Sequence, residues 1–345
     1  MPILPIILMI VFFPLNSFLI FQKEIIGGQQ VQAKTADIEK SLSGGVVEGV
    51  EIQKSEAENL PKTLEIFTSQ SQPTRKDNST NLTLSGAHAS VVIDADSGTI
   101  MHYEKGRDQR QIASLTKLMT ATLVMEKIIN LDEEVTIDEE PVFIEGTKIG
   151  CPRSGYCISQ RLKIGEKISA RSLLQAMLMN SANDAAVALG KHIAGSQDAF
   201  AELMNQKARE LGLIDTHFCT PSGLEPDGRE SQCFSSAYDI ARIAAYSMRY
   251  DTIWKMFKLP NNSIITSIDG KISHTILNTD LVIDQVPNLL GGKTGFTPLA
   301  GYSLLMGVTD PTGKHRVVAV LLDDPTRWVD MKKVLNWTFS SYKWE

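Results

Sequence analysis

The chain has 345 residues, of which 43% are hydrophobic and 21% are charged, and its formal net charge is -6. This composition is typical of a globular protein with room for one large domain or two ordinary ones, and the negative charge argues against a nucleic-acid partner. The 4 cysteines are too few for a disulfide scaffold. They also lack C-x-x-C spacing and suitably placed histidines, which argues against a zinc site.

The chain opens with an uncharged apolar run from Pro2 to Phe21. A run of about 18–20 apolar residues is long enough to span a bilayer and exceeds most signal-peptide cores. A positively charged n-region is missing, and the small-residue site Val31-Gln32-Ala33 lies far downstream of the apolar core. The sequence therefore predicts a transmembrane anchor or signal segment over residues 1–22, with an uncleaved anchor favoured. Either alternative exports the rest of the chain.

The next segment, residues 23–86, is rich in Gln, Ser, Thr, Glu and Lys and contains few aromatic residues. Such a composition buries too little apolar surface to offset the entropy that is lost on ordering. We therefore predict a polar, mostly disordered linker here. It would hold a folded domain, residues 87–345, away from the membrane.

The folded domain begins with a predicted buried strand over Ala89–Ala95 and a hairpin partner over Thr99–Tyr103. A helix follows from Leu115 to Ile129. It is apolar nearly all the way round, which is typical of a buried central helix. Ser114 and Lys117 stand one helical turn apart at its start.

These two residues predict a nucleophile and its base. A serine hydroxyl needs an adjacent base to take its proton, and residues at i and i+3 share a helix face, so Lys117 can reach the Ser114 oxygen. Lysine loses its proton readily when it is desolvated or placed beside another cation. An ordinary capped helix start is the alternative, because Ser340 and Lys343 show the same spacing by chance.

A polar, loop-rich region follows over Leu131–Gly165, and helical patterns then resume. The pattern predicts helices over Ser169–Met179, Asp184–Ile193, Ser196–Leu211 and Ser236–Tyr250. In an exported protein two local disulfides are possible, Cys151–Cys157 and Cys219–Cys233, and free thiols are the alternative.

The last third of the chain shows two strand patterns, Tyr302–Val308 and Arg316–Leu322, and a final helix that opens at Asp324-Pro325. Strands at both ends of the domain with helices between them predict an α/β fold. We expect a mostly antiparallel sheet covered by helices on both faces, with a largely helical subdomain. The first and last strands must then meet in one sheet.

Three short motifs stand in order along this domain: Ser114-Leu115-Thr116-Lys117, Ser181-Ala182-Asn183 and Lys293-Thr294-Gly295. Class A β-lactamases and penicillin-binding proteins share this set. From about Ala87 to its end, the chain resembles the low-molecular-mass penicillin-binding proteins, the serine-type D-alanyl-D-alanine carboxypeptidases of bacterial cell walls. Further stretches carry the resemblance: Val92–Gly98, Asn183–Ala186, Pro221–Leu224, Ser236–Asp239 and Lys293–Thr297.

The resemblance implies that Ser114 attacks the carbonyl between two terminal D-alanines of a peptidoglycan stem peptide and forms an acyl-enzyme. Lys117 would accept the serine proton. Ser181 and Asn183 would pass protons to the leaving amine and hold the substrate amide, while the charge of Lys293 keeps Lys117 neutral. The enzyme would act at the extracytoplasmic face of a bacterial membrane or, with the N-terminal segment cleaved, in secreted or periplasmic form.

The resemblance also implies a substrate-binding set: Lys293, Thr294, Gly295 and Phe296. Lys293 and Thr294 would bind the terminal carboxylate, and the backbone amides of Ser114 and Phe296 would form an oxyanion hole. An extended peptide would add to the edge of the Lys293 strand. No metal or organic cofactor is implied, and β-lactam antibiotics are the expected inhibitors.

Other functions stay open at this point. The same acyl-enzyme supports endopeptidase or transpeptidase action on cross-linked peptides. A class A β-lactamase needs a glutamate for deacylation, and Glu225 and Glu230 lie between the second and third motifs. A non-catalytic wall-binding module would keep the fold without the activity.

The insert around Cys151 and Cys157 is unusual for the family and can narrow substrate choice. Because the chain ends with its last helix, we expect the N-terminal segment to provide the tether.

Overall fold

The computed structural model of the protein describes residues 65–69, 71–152 and 156–344. The predicted anchor and most of the predicted linker lie outside the described residues. Among the helices of the described part, none is both long and apolar enough to cross a membrane.

The described chain alternates short strands with helices. Its strands are β1 (Thr74–Arg75), β2 (Ala89–Asp94), β3 (Ile100–Glu104), β4 (Glu134–Thr136), β5 (Lys167–Ser169), β6 (Ser263–Thr266), β7 (Ser273–Ile276), β8 (Leu289–Thr297), β9 (Gly301–Thr309), β10 (Arg316–Leu322) and β11 (Tyr342–Lys343). Its α-helices are α1 (Lys117–Lys127), α2 (Glu139–Phe143), α3 (Ala170–Met179), α4 (Asn183–Ala194), α5 (Gln197–Glu210), α6 (Ala237–Ser247), α7 (Asp251–Phe257) and α8 (Arg327–Ser341). Short 3-10 helices cover Ala113–Thr116 and Glu230–Gln232.

The central sheet has five antiparallel strands in the order β3-β2-β10-β9-β8. Strand β2 pairs with β10, and Val92 lies opposite Ala319. Every residue of β2 is buried, because both faces of the sheet are covered. The predicted α/β fold with an antiparallel sheet is therefore confirmed, and the first and last strand patterns of the domain do share one sheet.

One face of the sheet packs against the helices that lie between its strands in sequence. Successive side chains of a strand point to opposite faces. Val91 and Ile93 of β2 and Val318 of β10 accordingly join one core cluster with residues of α1, α3 and α6. Helix α1 is buried from Lys117 to Val124, as its apolar circumference predicts. Lys117, the first residue of α1, is therefore held by the core of the domain.

The opposite face of the sheet is covered by α8. Val92 of β2, Leu304 of β9 and Leu321 of β10 lie in a second cluster with Met331 and Leu335 of that helix. Helices therefore cover both faces. This arrangement leaves β8 at one edge of the sheet, where it has a strand neighbour, β9, on one side.

The described residues before residue 87 pack on the domain, and the prediction of a disordered linker is wrong for them. Ile66 and Leu84 are 6% and 5% exposed. Strand β1 pairs with β11, and Trp337 Nε1 donates a hydrogen bond to the Thr80 carbonyl at 2.7 Å. Composition misleads here because these few apolar residues need no core of their own. They join clusters that the rest of the domain already forms.

Leu84→Ala is expected to lower the free energy of unfolding by about 2–4 kcal/mol, because it opens a cavity in a buried cluster. Leu299→Ala is the control. Leu299 is 52% exposed, and truncating it is expected to change stability by about 0.5 kcal/mol or less. Urea denaturation measures both variants. Equal, small effects would show that the segment around Leu84 contributes nothing to the fold.

Two further features were not predicted from the sequence. Lys293 lies in the middle of β8, because the preceding residues Leu289–Gly292 are also extended and pair with β9. The sequence gives no clear signal for the hairpin of β6 and β7, whose strands have 4 residues each and are too short to display a period. This hairpin belongs to the region between the second and third motifs.

Candidate active site

Ser114 lies half-buried in the 3-10 turn that leads into α1. The residue before it, Ala113, has a φ of 46°, and left-handed backbone costs a residue with a Cβ roughly 1–2 kcal/mol. Gly223 packs against this turn so closely that a Cβ there would lie 2.0 Å from the Ala113 carbonyl oxygen. The segment around Gly223 thus holds Ala113, the residue directly before Ser114, in a backbone conformation of the kind found at functional sites.

The Lys117 side chain has 0% of its surface exposed. Its Nζ lies 2.9 Å from Ser114 Oγ, 2.7 Å from Asn183 Oδ1 and 2.6 Å from the Ser222 carbonyl oxygen. The amide oxygen and the carbonyl oxygen only accept hydrogen bonds. A neutral amine that donates its two protons to them keeps its lone pair for the Ser114 hydroxyl. The contacts therefore suit a deprotonated lysine that acts on the serine.

The environment of Lys117 also favours the neutral amine. Burial lowers its pKa well below the ordinary lysine value, and the positive charge of Lys293 lowers it further, against a smaller opposing effect of the Asp184 carboxylate. Desolvation disfavours an ammonium because the lost hydration is not replaced. Lys117 is therefore able to accept a proton at a pH where an exposed lysine cannot.

Ser181 and Asn183 lie at the break between α3 and α4, where the sequence places them. Ser181 has a φ of 57°, and its Oγ accepts a hydrogen bond from Lys293 Nζ at 2.8 Å. Asn183 turns Oδ1 toward Lys117, while its Nδ2 donates to the Glu145 carbonyl at 2.8 Å. The break between the helices therefore links the two lysines of the site.

Lys293 projects from the middle of β8 and is 1% exposed. Burial, with a further contribution from the Arg327 guanidinium, lowers the pKa of Lys293 to about 7. Its Nζ also donates to the Thr294 carbonyl at 3.0 Å. When Lys293 is charged, its ammonium disfavours a second charge on Lys117.

The other residues of the predicted substrate-binding set lie along β8. Thr294 Oγ1 donates to Thr279 Oγ1 at 3.0 Å. Gly295 brings β8 close to the serine turn, since a Cβ there would lie 2.9 Å from the Ile112 carbonyl oxygen. Phe296 follows and is 51% exposed. Because an edge strand leaves backbone amide and carbonyl groups unpaired, this side of β8 can receive an extended peptide.

Some contacts of the site carry no side-chain signal in the sequence. Ser222 contributes its main-chain carbonyl to Lys117, and the stretch Pro221–Leu224 marks the place but not that role. Arg327 at the start of α8 donates to the Gly295 carbonyl at 2.9 Å. Asp184 is buried, and this burial raises the pKa of its carboxyl to about 7, against hydrogen bonds from backbone amides. A single charged residue or a backbone carbonyl matches no short sequence motif, so these contacts could not be predicted from the sequence.

A cleft with a cavity volume of about 590 Å³ opens beside Ser222 and the end of β8. Its lining includes Glu225, whose Oε1 accepts a hydrogen bond from Thr297 Oγ1 at 2.8 Å, and it does not include Glu230. Of the two glutamates considered for deacylation, only Glu225 thus lines this cleft, and one of its oxygens is engaged with the strand. Ser114, Lys117 and Lys293 are not among the lining residues.

Both of the disulfides that the sequence leaves possible are formed. Cys151 is bonded to Cys157, and Cys219 is bonded to Cys233, which leaves no free cysteine among the described residues. The first bond closes the unusual insert. The second lies close to the chain that provides the Ser222 carbonyl.

Comparison with known families gives a match over residues 75–326 to Peptidase_S11, described as D-alanyl-D-alanine carboxypeptidase. The chain is 31% identical over 264 residues to the D-alanyl-D-alanine carboxypeptidase DacF of Bacillus subtilis. It is 34% identical over 269 residues to the D-alanyl-D-alanine carboxypeptidase DacA of Haemophilus influenzae. Each match covers 74% of this chain, and the chain spans 63% of the length of each relative.

Solved structures show the same similarity. A D-alanyl-D-alanine carboxypeptidase from Mycobacterium tuberculosis has a TM-score of 0.66 and 27% identity, and the match covers 77% of this chain and 96% of that one. Penicillin-binding protein D2 from Listeria monocytogenes, in its ampicillin-bound form, has a TM-score of 0.62 and 29% identity, with 75% and 99% covered. Sequence and fold point to the same group of proteins.

Proposed function

Because the chain belongs to the D-alanyl-D-alanine carboxypeptidase family Peptidase_S11, we propose that it is a serine enzyme that removes the terminal D-alanine from peptidoglycan stem peptides. The observation that carries this proposal is the position of Lys117. Its amine is buried, faces the Ser114 hydroxyl at 2.9 Å, and has two acceptors for its remaining protons. A wall-binding module without catalysis would have no use for this arrangement.

In the proposed reaction, Ser114 Oγ attacks the carbonyl carbon of the penultimate D-alanine while its proton passes to Lys117 Nζ. The carbonyl oxygen becomes an oxyanion, which the backbone amides of Ser114 and Phe296 would stabilise, a contribution of about 3–4 kcal/mol for each donor. The intermediate collapses when the C–N bond breaks. The leaving amine takes a proton from Lys117, relayed by Ser181, and departs as D-alanine. Water then hydrolyses the ester and restores Ser114.

Substrate binding would use β8 and its two polar residues. The stem peptide adds to the strand edge, and its terminal carboxylate pairs with the Lys293 ammonium and the Thr294 hydroxyl. Lys293 already contacts Ser181 at 2.8 Å. The carboxylate would therefore be bound next to the group that relays the proton. Asn183 Nδ2 is engaged with a backbone carbonyl, so Asn183 acts chiefly by orienting Lys117.

The same acyl-enzyme can pass to an amine instead of water, and the resulting endopeptidase or transpeptidase is the second candidate. The exposed edge of β8 favours it as much as it favours the carboxypeptidase. A class A β-lactamase has less support, because the Glu225 oxygen nearest β8 is already bonded to Thr297. A fast deacylation of the penicilloyl ester would indicate the β-lactamase, whereas the acceptor of the acyl group, water or an amine, separates the carboxypeptidase from the transpeptidase.

We also propose that the domain acts outside the cytoplasmic membrane and that residues 1–22 tether it there. Disulfides form and persist in oxidising compartments, and both cysteine pairs of this chain are bonded. The uncharged run from Pro2 to Phe21 supports the tether. Fractionation of cells that express the full chain tests this point. Protein recovered in the cytoplasm would contradict the proposal.

Intact-mass analysis of the full chain after incubation with benzylpenicillin tests the function, together with an assay for D-alanine released from a peptide that ends in D-Ala-D-Ala. A long-lived adduct on the protein, which proteolytic digestion assigns to the fragment that contains Ser114, with steady D-alanine release, is the expected result. Fast turnover of the antibiotic would indicate a β-lactamase. Absence of both adduct and release would overturn the proposal.

Lys293→Gln is expected to shift the acidic limb of the acylation profile to higher pH. Acylation needs neutral Lys117, so its rate rises with pH through the Lys117 pKa. The Lys293 charge lowers that pKa, and Lys293 itself titrates at about 7. Without this charge the Lys117 pKa rises, and the limb moves upward. Loss of the charged contact to the substrate carboxylate also lowers kcat/KM for release of D-alanine, since truncating one partner of a buried charge pair costs about 2–5 kcal/mol, or about 30-fold or more.

The measurement is the acylation rate with benzylpenicillin between pH 5 and 9, next to Lys314→Gln as a control. Lys314 is exposed in the turn between β9 and β10. Its variant should reproduce the native profile. If the acidic limb of the pH profile of acylation stays in place or moves to lower pH in Lys293→Gln, the proposed coupling between the two lysines is refuted.

A further inference from the structure

The second motif is held by a segment that the mechanism leaves unexplained, Glu145–Ile149, which we call the brace. Five contacts join the brace to residues 180–184. The Asn183 amide and its Nδ2 donate to the carbonyls of Thr147 and Glu145, Thr147 Oγ1 donates to the Ser181 carbonyl, Asn180 Nδ2 donates to the Lys148 carbonyl, and the Ile149 amide donates to the Asp184 carboxylate, all at 2.7–3.1 Å. The brace therefore determines how the motif is presented.

The contact with Glu145 has a direct chemical consequence. It takes the Nδ2 end of the Asn183 amide, and so it fixes Oδ1 as the end that faces Lys117. If the amide turned over, its N–H groups would compete with Ser114 for the lysine lone pair. Gly146 lies against the same group, since a Cβ there would sit 2.6 Å from Asn183 Nδ2. The orientation of Asn183 thus depends on the exact path of the brace.

The brace itself has no regular secondary structure, and its C-terminal end is closed by the first disulfide. Lys148 and Cys151 exchange two backbone hydrogen bonds at 2.9 Å, and Cys151 is bonded to Cys157. The Gly150 carbonyl then accepts from the Ile158 amide at 2.8 Å. Cys151 is 5% exposed, whereas Cys157 is exposed and open to a thiol.

We propose that the Cys151–Cys157 disulfide positions the second motif through the brace, and that its reduction by a dithiol reversibly slows acylation. This inference rests on the proposed acyl-enzyme function. One thiolate of the dithiol attacks a sulfur of the disulfide, the S–S bond breaks, and a mixed disulfide forms. The second thiolate displaces it. The products are two cysteine thiols and an oxidised dithiol, and reoxidation reverses the change.

The second disulfide differs because the chain that it borders is bonded to other parts of the domain, whereas the bonds of the brace run to the second motif and to Cys151. Thr120 Oγ1 donates to the Pro221 carbonyl at 2.7 Å. His217 and Phe234 exchange backbone hydrogen bonds at 2.8 and 3.0 Å beside the disulfide. The Ser222 carbonyl, which faces Lys117, therefore keeps its position when Cys219 and Cys233 are separated. The two disulfides can be distinguished by experiment.

The experiment compares the full chain with C151S/C157S and C219S/C233S, each oxidised and after dithiothreitol. Saturation kinetics with benzylpenicillin separate the initial binding constant from the acylation rate constant. We expect reduction to lower the acylation rate constant about 10–100-fold in the native chain and in C219S/C233S, because a catalytic group misplaced by about 1 Å can cost about 10²-fold in rate. The initial binding constant should change less than about 3-fold. C151S/C157S should be slow from the start and indifferent to the reductant.

Gly146→Ala tests the brace without altering a cysteine. Its Cβ would push on Asn183 Nδ2, so the acylation rate constant should fall about 10-fold. Gly165→Ala is the matched control, because its φ of 79° equals the 78° of Gly146 within a degree and a Cβ there meets nothing within 4 Å. Near-UV circular dichroism verifies that each variant is folded. The glycine pair and the reduced C219S/C233S protein keep the test valid if C151S/C157S does not fold.

The outcomes separate this inference from the proposed function. Acylation that is unchanged by reduction, or a loss that follows the Cys219–Cys233 pair, would overturn the role of the brace and leave the function standing. A loss that reoxidation does not restore would also overturn it. An oxidised native chain that benzylpenicillin never acylates would instead overturn the proposed function.

Discussion

Ser114→Ala is expected to eliminate both the benzylpenicillin adduct and the release of D-alanine. The variant lacks the oxygen that forms the ester, and no other hydroxyl is placed next to the Lys117 amine in the described structure as Ser114 is, at 2.9 Å. Removing a nucleophile of this kind typically costs about 10⁶-fold in rate, which is below detection in both assays. Ser114 is half-buried and small, so little stability should be lost.

The second Ser-x-x-Lys of the chain provides a matched control. Ser340 is exposed and lies near the end of α8, where its Oγ donates a hydrogen bond to the Trp337 carbonyl at 2.9 Å. Ser340→Ala should therefore acylate at the native rate. An adduct of full stoichiometry on Ser114→Ala would disprove the assignment of the nucleophile, whichever residue then carried the antibiotic.

Lys117→Met is expected to lower the acylation rate by about 10²–10⁴-fold, the usual contribution of a positioned general base. Methionine fits the buried volume but has no lone pair that takes the serine proton. It also leaves Asn183 Oδ1 and the Ser222 carbonyl without their donor. Each unsatisfied buried acceptor lowers the free energy of unfolding by about 1–3 kcal/mol. Part of this loss is offset, because methionine has no amine that must be desolvated on folding.

Stopped-flow acylation and urea denaturation together separate the chemical effect of Lys117→Met from a folding defect. Lys343→Met is the control, since Lys343 occupies the same position relative to Ser340 and is exposed. It should leave the acylation rate unchanged. Acylation of Lys117→Met at the native rate would mean that another group deprotonates Ser114.

The grouping of the site could be predicted from the sequence because its side chains occur in short motifs tied to recognisable elements. Ser114 and Lys117 flank the start of an apolar helix, and Ser181 and Asn183 fill a break between two helical patterns. The structure brings all four into one place together with Lys293. The α/β fold followed from strands at both ends of the domain, since such strands pair when helices occupy the middle.

The parts that could not be predicted are those made by the backbone. The Ser222 carbonyl and the brace carbonyls of Glu145 and Thr147 are present in any sequence, so no residue type announces them. The order of the segment around Ile66 and Leu84 was missed for a related reason. Composition reports whether a segment can fold alone, whereas these residues fold against a core supplied by chain that follows much later.

The pairing of β2 with β10 also determines when the central sheet can form during synthesis of the protein. Strand β2 comes early in the domain, yet its neighbour in the sheet is made near the end. Pairing between strands so distant in sequence is slow, and a ribosome delivers the early strand first. Until β10 emerges, the apolar strand β2 has an open edge, which is prone to aggregate. The central sheet therefore cannot be completed until β10 has been made, and the edge of β2 stays open until then.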